Sequence, residues 1–287
     1  MEDGEVFINP LTDFGFKLIF GTEMNKDLLI SFLNALFDGE QVITDVNYQL
    51  TEKLGTNKEQ RRAIFDVYCV TEKNTHIIVE MQNVYQQFYK DRSIYYSTFP
   101  IRDQVKRGTW DYNLHDVYTV GILNFAFPED REEEDVITRK VKLHDVKTKK
   151  VFYDKLTYFY VELVNFNKQL SELETIFDKW LYALRHMQDL MNRPAELQER
   201  VFARLFDAAK IAKLDEKELL DYEESMSAFR DIKNAIDTAE RDYLKKGEEI
   251  GIKKGIFQTA QKLKKMGLSS KQISEGTGLS LEEIENL

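Results

Sequence analysis

Two short apolar runs, close together in the chain, each carry one acidic residue near the middle. The runs are residues 63–70 (AIFDVYCV) and 76–82 (HIIVEMQ), and the five polar residues 71–75 separate them. Apolar runs of this length joined by a short polar loop predict a β-hairpin. The hairpin carries Asp66 in one arm and Glu80 in the other.

The loop length sets how the two acids face each other. With the loop centred on Lys73, Val70 pairs with His76, and Asp66 lies directly opposite Glu80. Their Cβ atoms are then about 5 Å apart on one face of the hairpin. Two carboxylates in that position repel each other, and apolar surroundings add to the cost unless a positive charge lies between them. A bound divalent cation is the simplest arrangement, and two solvent-facing carboxylates on a half-exposed hairpin are the alternative.

Phosphodiester hydrolysis is the chemistry that such a pair of acids suits. Asp66, Glu80 and the backbone carbonyl of Met81 offer three oxygens to Mg²⁺ or Mn²⁺, which polarises a phosphoryl oxygen and activates water. Gln82 lies two residues beyond Glu80 and points to the same face, where its amide orients a water or a phosphate. Asp66, Glu80 and Gln82 are therefore the candidate catalytic residues, and Asp66, Glu80 and Met81 are the candidate metal ligands.

Helical and strand-like segments alternate over the first part of the chain. Apolar residues recur at helical spacing in residues 26–37 and again after Gln82, and Thr12 is placed to cap a short helix in residues 9–21. Strand-like segments occur at residues 41–50, 116–127 and 155–166. The pattern predicts an α/β domain over residues 1–166.

Strand signals vanish after residue 166, and amphipathic helices are predicted over residues 167–246. This region is best explained as a helical part that packs beside the sheet or against a second copy. Glycines then recur every fourth residue at Gly247, Gly251 and Gly255, which fits either a close-packing face or a flexible connector. Residues 247–287 are therefore treated as a separate tail.

The tail ends in two segments that have the spacing of capped helices. Ser269 with Gln272, and Ser280 with Glu283, have capping-box spacing, so the end of the chain is predicted to form a helix-turn-helix-like unit. Residues 268–287 contain one lysine against four glutamates. Because phosphate binding needs the opposite balance, a protein contact or a cap on the fold is favoured over a DNA groove.

Composition narrows the chemistry further. The net charge of −10 argues against general adhesion to nucleic acid and leaves room for a local basic groove. The single cysteine, Cys69, excludes an intrachain disulfide, and the four histidines are scattered without the spacing of a zinc site. No apolar run is long enough to span a membrane, and no secretory signal opens the chain, so we expect a cytoplasmic protein with no membrane partner.

The acids belong to a larger set of residues in a characteristic order. Thirteen residues separate Asp66 from Glu80, and Gln82 follows; the segment 12–21 (TDFGFKLIFG) precedes them, and Arg92, Tyr95, Tyr96 and residues 108–112 come after. This arrangement resembles the PD-(D/E)XK nuclease superfamily, and more narrowly its branch of recombination-promoting nucleases and transposases, found mostly in bacteria. The likeness covers residues 7–165 and, more loosely, the tail. It implies an α/β fold with a restriction-endonuclease-like central mixed sheet flanked by helices, a helical C-terminal region, and Mg²⁺-dependent cleavage of DNA.

The resemblance also assigns roles by position. Asp66 and Glu80 match the two metal-binding acids, and Gln82 stands where the wider superfamily has lysine. A neutral amide there offers a dipole in place of a charge. The resemblance to the narrower branch implies that glutamine is the usual residue at this position. Lys17 lies four residues after Asp13 on one helix face and is placed to supply the missing positive charge, with Asp13 in support. The alternative is an ordinary surface ion pair between the two.

A basic rim is predicted around the acidic centre. Arg92 lies on the helix that follows the hairpin, where its guanidinium would clamp a phosphate. Residues 83–107 hold five basic side chains against two acids, and residues 53–62 hold four against one. The tyrosines of the helix are assigned mainly to packing, because an aromatic stripe is more often core than a base-stacking platform. Lys17 and Arg92 are therefore the candidate DNA-binding residues.

The sequence favours a metal-dependent DNA endonuclease linked to recombination or mobile elements. A second interpretation keeps the nuclease fold as a DNA- or protein-binding module without cleavage, with Gln82 as the sign of lost catalysis. A third is a structural scaffold assembled through the helical region and the tail, which predicts neither metal nor DNA affinity. A homodimer would suit symmetric cutting of two antiparallel strands.

Overall fold

The computed structural model describes residues 6–53, 63–105, 111–129 and 136–287. Most of the predicted basic segment 53–62, the basic residues Lys106 and Arg107, and most of the stretch 108–112 lie outside the described residues. The chain divides into two compact units, Met1–Ser227 and Ala228–Leu287. The division into three regions at residues 166 and 246 stays a prediction.

The described part of the first unit contains eight strands and five complete α-helices. The strands are β1 (Val46–Tyr48), β2 (Glu52–Lys53), β3 (Ala63–Ile64), β4 (Val67–Thr71), β5 (His76–Gln82), β6 (Val117–Leu123), β7 (Thr138–His144) and β8 (Val151–Glu162). The helices are α1 (Asp13–Phe20), α2 (Lys26–Phe37), α3 (Tyr89–Asp103), α4 (Ile176–His186) and α5 (Arg200–Ala208). Helix α6 (Glu216–Lys265) contains the boundary between the units, and α7 (Ser270–Thr277) and α8 (Leu281–Glu285) follow it.

The strands of the first unit form one mixed sheet and one small sheet. In the described part of the chain, six strands pair in the order β1-β4-β5-β6-β8-β7. The neighbours β5, β6 and β8 are parallel, and β1, β4 and β7 pair antiparallel with their neighbours. Strands β2 and β3 pair only with each other. The predicted fold, a restriction-endonuclease-like mixed sheet flanked by helices and followed by a helical region, is confirmed.

Helices cover both faces of the six-stranded sheet. On one face, the Tyr160 hydroxyl of β8 hydrogen-bonds Ser93 Oγ of α3 at 2.7 Å. On the other face, Phe159 packs against Phe37 of α2 with ring centroids 5.3 Å apart. Successive residues of a strand point to opposite faces, so neighbours in β8 serve two different layers. We call these the α3 face and the α2 face.

The first helices begin and end where local signals predict. The Thr12 side chain accepts a hydrogen bond from the Gly15 N–H at 3.0 Å and caps α1. Helix α2 ends at Asp38 and Gly39, whose φ values of 47° and 81° lie in the left-handed region that terminates helices. Both predicted helices are confirmed.

Three strand and helix predictions differ from the structure. The predicted arm 63–70 is divided, because β3 pairs with β2 and only β4 pairs with β5. Strand β7 was not predicted because its sequence, TRKVKLH, is mostly basic and lacks an apolar run. Helix α3 begins at Tyr89, later than the helical spacing after Gln82 predicts. The first of these differences positions Asp66, as described below.

In the second unit, α6 runs without a break through Gly247, Gly251 and Gly255. The expectation of a connector at these residues is therefore corrected: the intervening residues, mostly Lys, Glu and Ile, sustain a helix despite the low propensity of glycine. A close-packing face is not seen either, since a Cβ added at any of the three glycines meets no heavy atom within 4 Å among the described residues. The two capping boxes and the helical pair α7–α8 are confirmed.

Candidate active site

The acid pair lies where β4 begins, beside β5. Val70 pairs with His76, as predicted, and the pairing runs back to Val67 and Val79, so Asp66, just before β4, and Glu80 are the next residues in this register. Here the side-chain carboxylates of both acids accept hydrogen bonds from backbone N–H groups. The Asp66 N–H donates to Glu80 Oε1 at 3.2 Å, and Asp66 Oδ2 accepts a hydrogen bond from the Met81 N–H at 2.8 Å. The structure thus brings Asp66, Glu80 and Met81 together and explains the break before β4.

The carbonyl of Met81 faces the same side as its amide. In a β-strand, the N–H and C=O of one residue point to the same neighbouring strand. The Met81 N–H points to Asp66, so the Met81 carbonyl also points toward Asp66. The next residue points the opposite way, since the Gln82 carbonyl accepts from the Asn124 N–H at 2.9 Å. The role of the Met81 carbonyl as a third oxygen donor stays a prediction.

Burial disfavours negative charge on both acids. Glu80 is 8 % exposed, and its pKa is raised from 4.5 to about 8, first by burial and then by the nearby negative charge of Asp66. Burial also raises the pKa of Asp66, while the hydrogen bond from the Met81 N–H acts in the opposite direction. A pair of carboxylates with raised pKa values is a candidate functional site.

Two cations act on this pair from different helices. The positive charges of Lys17 on α1 and Arg92 on α3 lower the pKa of both Asp66 and Glu80. Their effect is smaller than that of burial, so the net pKa shift of each acid is upward. Lys17 and Arg92, the two predicted DNA-binding residues, therefore lie within electrostatic range of the acid pair.

Gln82 holds Arg92 in place. The Gln82 Oε1 accepts a short hydrogen bond from Arg92 Nη2, and its Nε2 donates to the Val84 carbonyl at 3.0 Å. Arg92 Nη1 also donates to Gln86 Oε1 at 2.6 Å. The guanidinium lies 5.1 Å from the ring centre of Tyr89, within cation–π range. The neutral amide of Gln82 thus positions an arginine.

Asp13 and Lys17 form the ion pair that was the alternative to a direct role for Lys17. Lys17 Nζ lies 2.8 Å from Asp13 Oδ1, and the side chains of Lys17 and Asp13 are 45 % and 66 % exposed. An exposed pair of this kind contributes little stability. Lys17 also lowers the pKa of both acids, so its side chain is placed to act on the site and on Asp13.

A glycine and a tyrosine beside Glu80 were missed from the sequence. Gly121 of β6 pairs with Glu80, and a Cβ at Gly121 would come within 2.5 Å of the Tyr89 hydroxyl. The negative charge of Glu80 in turn raises the Tyr89 pKa, after the larger effect of burial. A lone glycine inside an apolar strand often marks a close approach by another group, and this signal would have indicated the contact.

The exposed side of α3 carries an open groove next to Arg92. Its volume is about 380 Å³, and its lining comprises Gln86, Gln87, Phe88, Asp91, Arg92 and Tyr95. Phe88 and Tyr95 are 65 % and 44 % exposed, whereas Tyr89 and Phe99 are buried. Tyr89 is therefore a core residue, whereas Tyr95 packs edge-on against Phe99, with ring centroids 5.2 Å apart, and keeps part of its ring exposed.

The donor set suits a hard divalent cation. Among the described residues, no group of three or more His, Cys, Asp or Glu side chains is arranged to hold a metal ion. Magnesium typically takes one or two carboxylates and keeps several waters, so two acids and a carbonyl are sufficient. Burial and the charge of Asp66 raise the pKa of Glu80 more than Arg92 and Lys17 lower it, so a further positive charge beside the pair would favour its ionised form.

The fold and the acid pair define a protein with a nuclease fold. A family model described as PD-(D/E)XK nuclease family transposase matches residues 10–239. The match covers most of the chain, which therefore belongs to this family, as the resemblance predicted. No curated protein and no solved structure matched the chain.

Within the ranges that the structure describes, no helix combines the length and the apolar character that crossing a bilayer requires.

Proposed function

We propose that this chain is a metal-dependent endonuclease that hydrolyses phosphodiester bonds in DNA. The observation that carries the proposal is the pair of half-buried Asp66 and buried Glu80, hydrogen-bonded to the backbone at the start of β4 in a fold of the nuclease family. The family description as a transposase supports a link to recombination or mobile elements.

The metal would be held by Asp66, Glu80 and the carbonyl of Met81, with Mg²⁺ or Mn²⁺ as the ion. A divalent cation at this position supplies Lewis-acid polarisation of the phosphodiester. The hydrogen bond from the Met81 N–H fixes Asp66, and the Asp66 N–H fixes Glu80. The two acids are thereby preorganised for binding.

The neighbouring polar residues position the DNA strand. Gln82 holds Arg92 through one hydrogen bond, which leaves other N–H groups of the guanidinium to contact a phosphate of the scissile strand. Lys17, kept near the acids by Asp13, offers a second positive charge. In this proposal Gln82 is a positioning residue for Arg92, and it orients water or phosphate only through the group that it holds.

A non-cleaving binding module is the second candidate function. The observation that favours it is that both ends of the Gln82 amide are engaged by protein groups, Arg92 and the Val84 carbonyl. The position that carries lysine in the wider superfamily then has no group directed at an attacking water. This candidate predicts metal and DNA binding without hydrolysis.

Cleavage of supercoiled plasmid separates the two functions. The native protein, Asp66→Asn and Glu80→Gln would be compared with Mg²⁺, Mn²⁺ or EDTA. The endonuclease proposal predicts metal-dependent nicking that falls at least about a hundredfold in both variants. Glu72→Gln is the matched control, because Glu72 is an exposed acid in the loop of the same hairpin.

Three results distinguish the endonuclease, the binding module and a contaminating activity. Nicking by the native protein and Glu72→Gln but not by the two site variants supports the endonuclease. If the native protein binds metal in titration calorimetry and binds DNA but leaves the plasmid intact with either ion, the binding module replaces it. Equal cutting by all variants indicates a contaminating nuclease and overturns the assignment of the site.

A further inference from the structure

The hairpin formed by β7 and β8 has a high density of positive charge. Residues 138–155, which we call the basic hairpin, hold seven basic side chains and two acidic ones in a chain of net charge −10. The basic residues are Arg139, Lys140, Lys142, Lys147, Lys149, Lys150 and Lys155. This segment therefore has the charge expected of a surface that binds a polyanion.

Three of these side chains have structural partners at the base of the hairpin. Arg139 Nε donates to Glu162 Oε1 at 2.6 Å, and Lys140 forms an ion pair with Glu40. Lys155 Nζ donates to Asn113 Oδ1 at 3.0 Å. These contacts anchor the hairpin to the sheet and leave the lysines of its tip for another role.

The tip presents three lysines to solvent in a fixed turn. Lys147, Lys149 and Lys150 are exposed, and none of them forms an ion pair within the described ranges. Two backbone hydrogen bonds of 2.9 Å close the turn, from the Asp145 N–H to the Lys150 carbonyl and from the Lys149 N–H to the Asp145 carbonyl. Close beside the tip, Phe152 is 79 % exposed.

The hairpin extends beyond the parallel strands. Leu156 of β8 pairs with Val117, the first residue of β6, so residues 151–155 precede this pairing and extend beyond the start of β6. At about 3.3 Å per residue this extension is about 16 Å long. Tyr160, in the same row of the sheet as Glu80, is nine residues from Val151, or about 30 Å. That length is close to one turn of duplex DNA, about 34 Å.

Protection of a sheet edge does not explain the tip lysines. Lysines on an edge strand commonly prevent pairing with other chains, and Lys140 and Lys142 lie on the edge strand β7. Lys147, Lys149 and Lys150 instead lie in the turn that follows β7, outside its ladder. Protection against edge pairing therefore does not account for the positive charge of these three lysines.

We propose that the tip of the basic hairpin is a DNA-binding arm, whose Lys147, Lys149 and Lys150 contact the phosphates of a duplex about one helical turn from the cleavage site. The choice of duplex DNA as the partner rests on the proposed function, and the charge complementarity rests on the hairpin alone. Arm contacts of this kind position the substrate and raise its affinity without reading its sequence.

The salt dependence of DNA binding tests the arm. The full-length native protein and the triple variant Lys147→Gln, Lys149→Asn, Lys150→Gln would be titrated onto a labelled duplex in EDTA, with fluorescence anisotropy as the readout. Asparagine is chosen at Lys149 because its φ of 60° lies in the left-handed region. We expect affinity to fall at least about tenfold near 0.1 M salt, and the slope of log K against log salt to decrease by up to about 2.7.

The control removes the same charge from other surfaces. Lys73→Gln, Lys217→Gln and Lys253→Gln neutralise three dispersed exposed lysines, and this variant should keep most of the native affinity and slope. Equal losses in both triple variants, or an unchanged slope in the hairpin variant, overturn the arm. Tighter binding of single-stranded RNA than of the duplex in competition also overturns it. Thermal unfolding confirms that both variants are folded.

Failure of the arm and failure of the nuclease are distinguishable. Binding is measured in EDTA and does not depend on cleavage. If the hairpin variant loses affinity while the native protein never nicks plasmid, the arm stands and the endonuclease proposal fails. If nicking requires Asp66 and Glu80 but the hairpin variant binds normally, the nuclease stands and the arm fails.

Discussion

The two faces of the central sheet come from the same strands but differ in chemistry. The row Val79, Val120 and Phe159 points to the α2 face and is entirely apolar. One residue further along each strand, the row on the α3 face consists of Glu80, Gly121 and Tyr160. It therefore contains a carboxyl group, a position without a side chain and a hydroxyl group. The α2 face thus resembles an ordinary core, whereas the α3 face holds the candidate chemistry.

This difference shows how a stable fold accommodates a carboxyl group whose burial is unfavourable. Burying a carboxylate without full compensation is unfavourable, as the raised pKa of Glu80 shows. The apolar residues on the opposite side of the same strand, such as Ile77 and Val79, are fully buried and hold β5 in place. Because the side chains of β5 alternate between the two faces, the same strand contributes apolar burial on the α2 face and an unfavourably buried acid on the α3 face.

The largest expected effect tests the α2 face. Phe37→Ala removes a side chain that is 2 % exposed and packs on Tyr118 and Phe159, with ring centroids 4.9 Å and 5.3 Å away. We expect the free energy of unfolding to fall by about 3–5 kcal/mol. Urea denaturation measures this, with Phe88→Ala as the exposed control. A loss below about 1 kcal/mol would show that the α2 face contributes less than its burial indicates.

The second effect, of roughly a few kcal/mol, tests Glu80 in EDTA. The pKa of Glu80 is raised from 4.5 to about 8, so the folded protein retains a proton that the unfolded chain releases. The stabilisation is fully present below about pH 4.5 and is lost as pH rises through about 8. Glu80→Gln keeps an acceptor for the Asp66 N–H and removes this titration. The variant should therefore be more stable than the native protein at pH 8.5, by an amount that shrinks toward pH 5.

The measurement is the free energy of unfolding of native protein and variant across that pH range. Glu72→Gln provides the comparison with an exposed acid whose pKa is lowered, chiefly by a hydrogen bond from its own backbone. Parallel stability curves for the native protein and Glu80→Gln would mean that Glu80 ionises normally, and the contrast between the two faces would be reduced.

A smaller effect tests the absence of a side chain at Gly121 on the α3 face. Gly121→Ala places a Cβ within 2.5 Å of the Tyr89 hydroxyl, and we expect a loss of about 1–3 kcal/mol from overpacking. Tyr89→Phe removes the hydroxyl that collides. The double variant should recover most of the stability lost by Gly121→Ala in chemical denaturation. Without recovery, the glycine would be required for a reason other than Tyr89.

Much of the fold was predictable because its signals are local. The cap at Thr12, the apolar periodicity of α2 and the hairpin register from Val70 to His76 all follow from residues close in the chain. Strand β7 escaped prediction because its residues are largely charged and partly exposed and contain no apolar run, although its partner β8 is the next strand in the chain. The helix through Gly251 escaped because propensity is a weak prior that neighbouring residues override.

The candidate site was predictable in its composition but not in its contacts. The positions of Asp66 and Glu80 follow from hairpin arithmetic, and the roles of these two acids stay a prediction. The bond from Arg92 to Gln82 joins a helix to a strand through side-chain conformations that no spacing rule specifies. The approach of Tyr89 to Gly121 likewise depends on how α3 lies on the sheet.

The smallest effect tests whether hydroxyl pairs hold α3 to its face. Ser97 Oγ and the Tyr158 hydroxyl are 2.7 Å apart and buried. Ser97→Ala leaves the tyrosine without this partner and should lower the free energy of unfolding by about 1 kcal/mol, as should Tyr158→Phe. Because the double variant leaves neither group unpaired, its loss should be clearly smaller than the sum of the two single losses. Additive losses in denaturant titrations would show that α3 is held by apolar packing, as α2 is, and that the two faces differ only around Glu80.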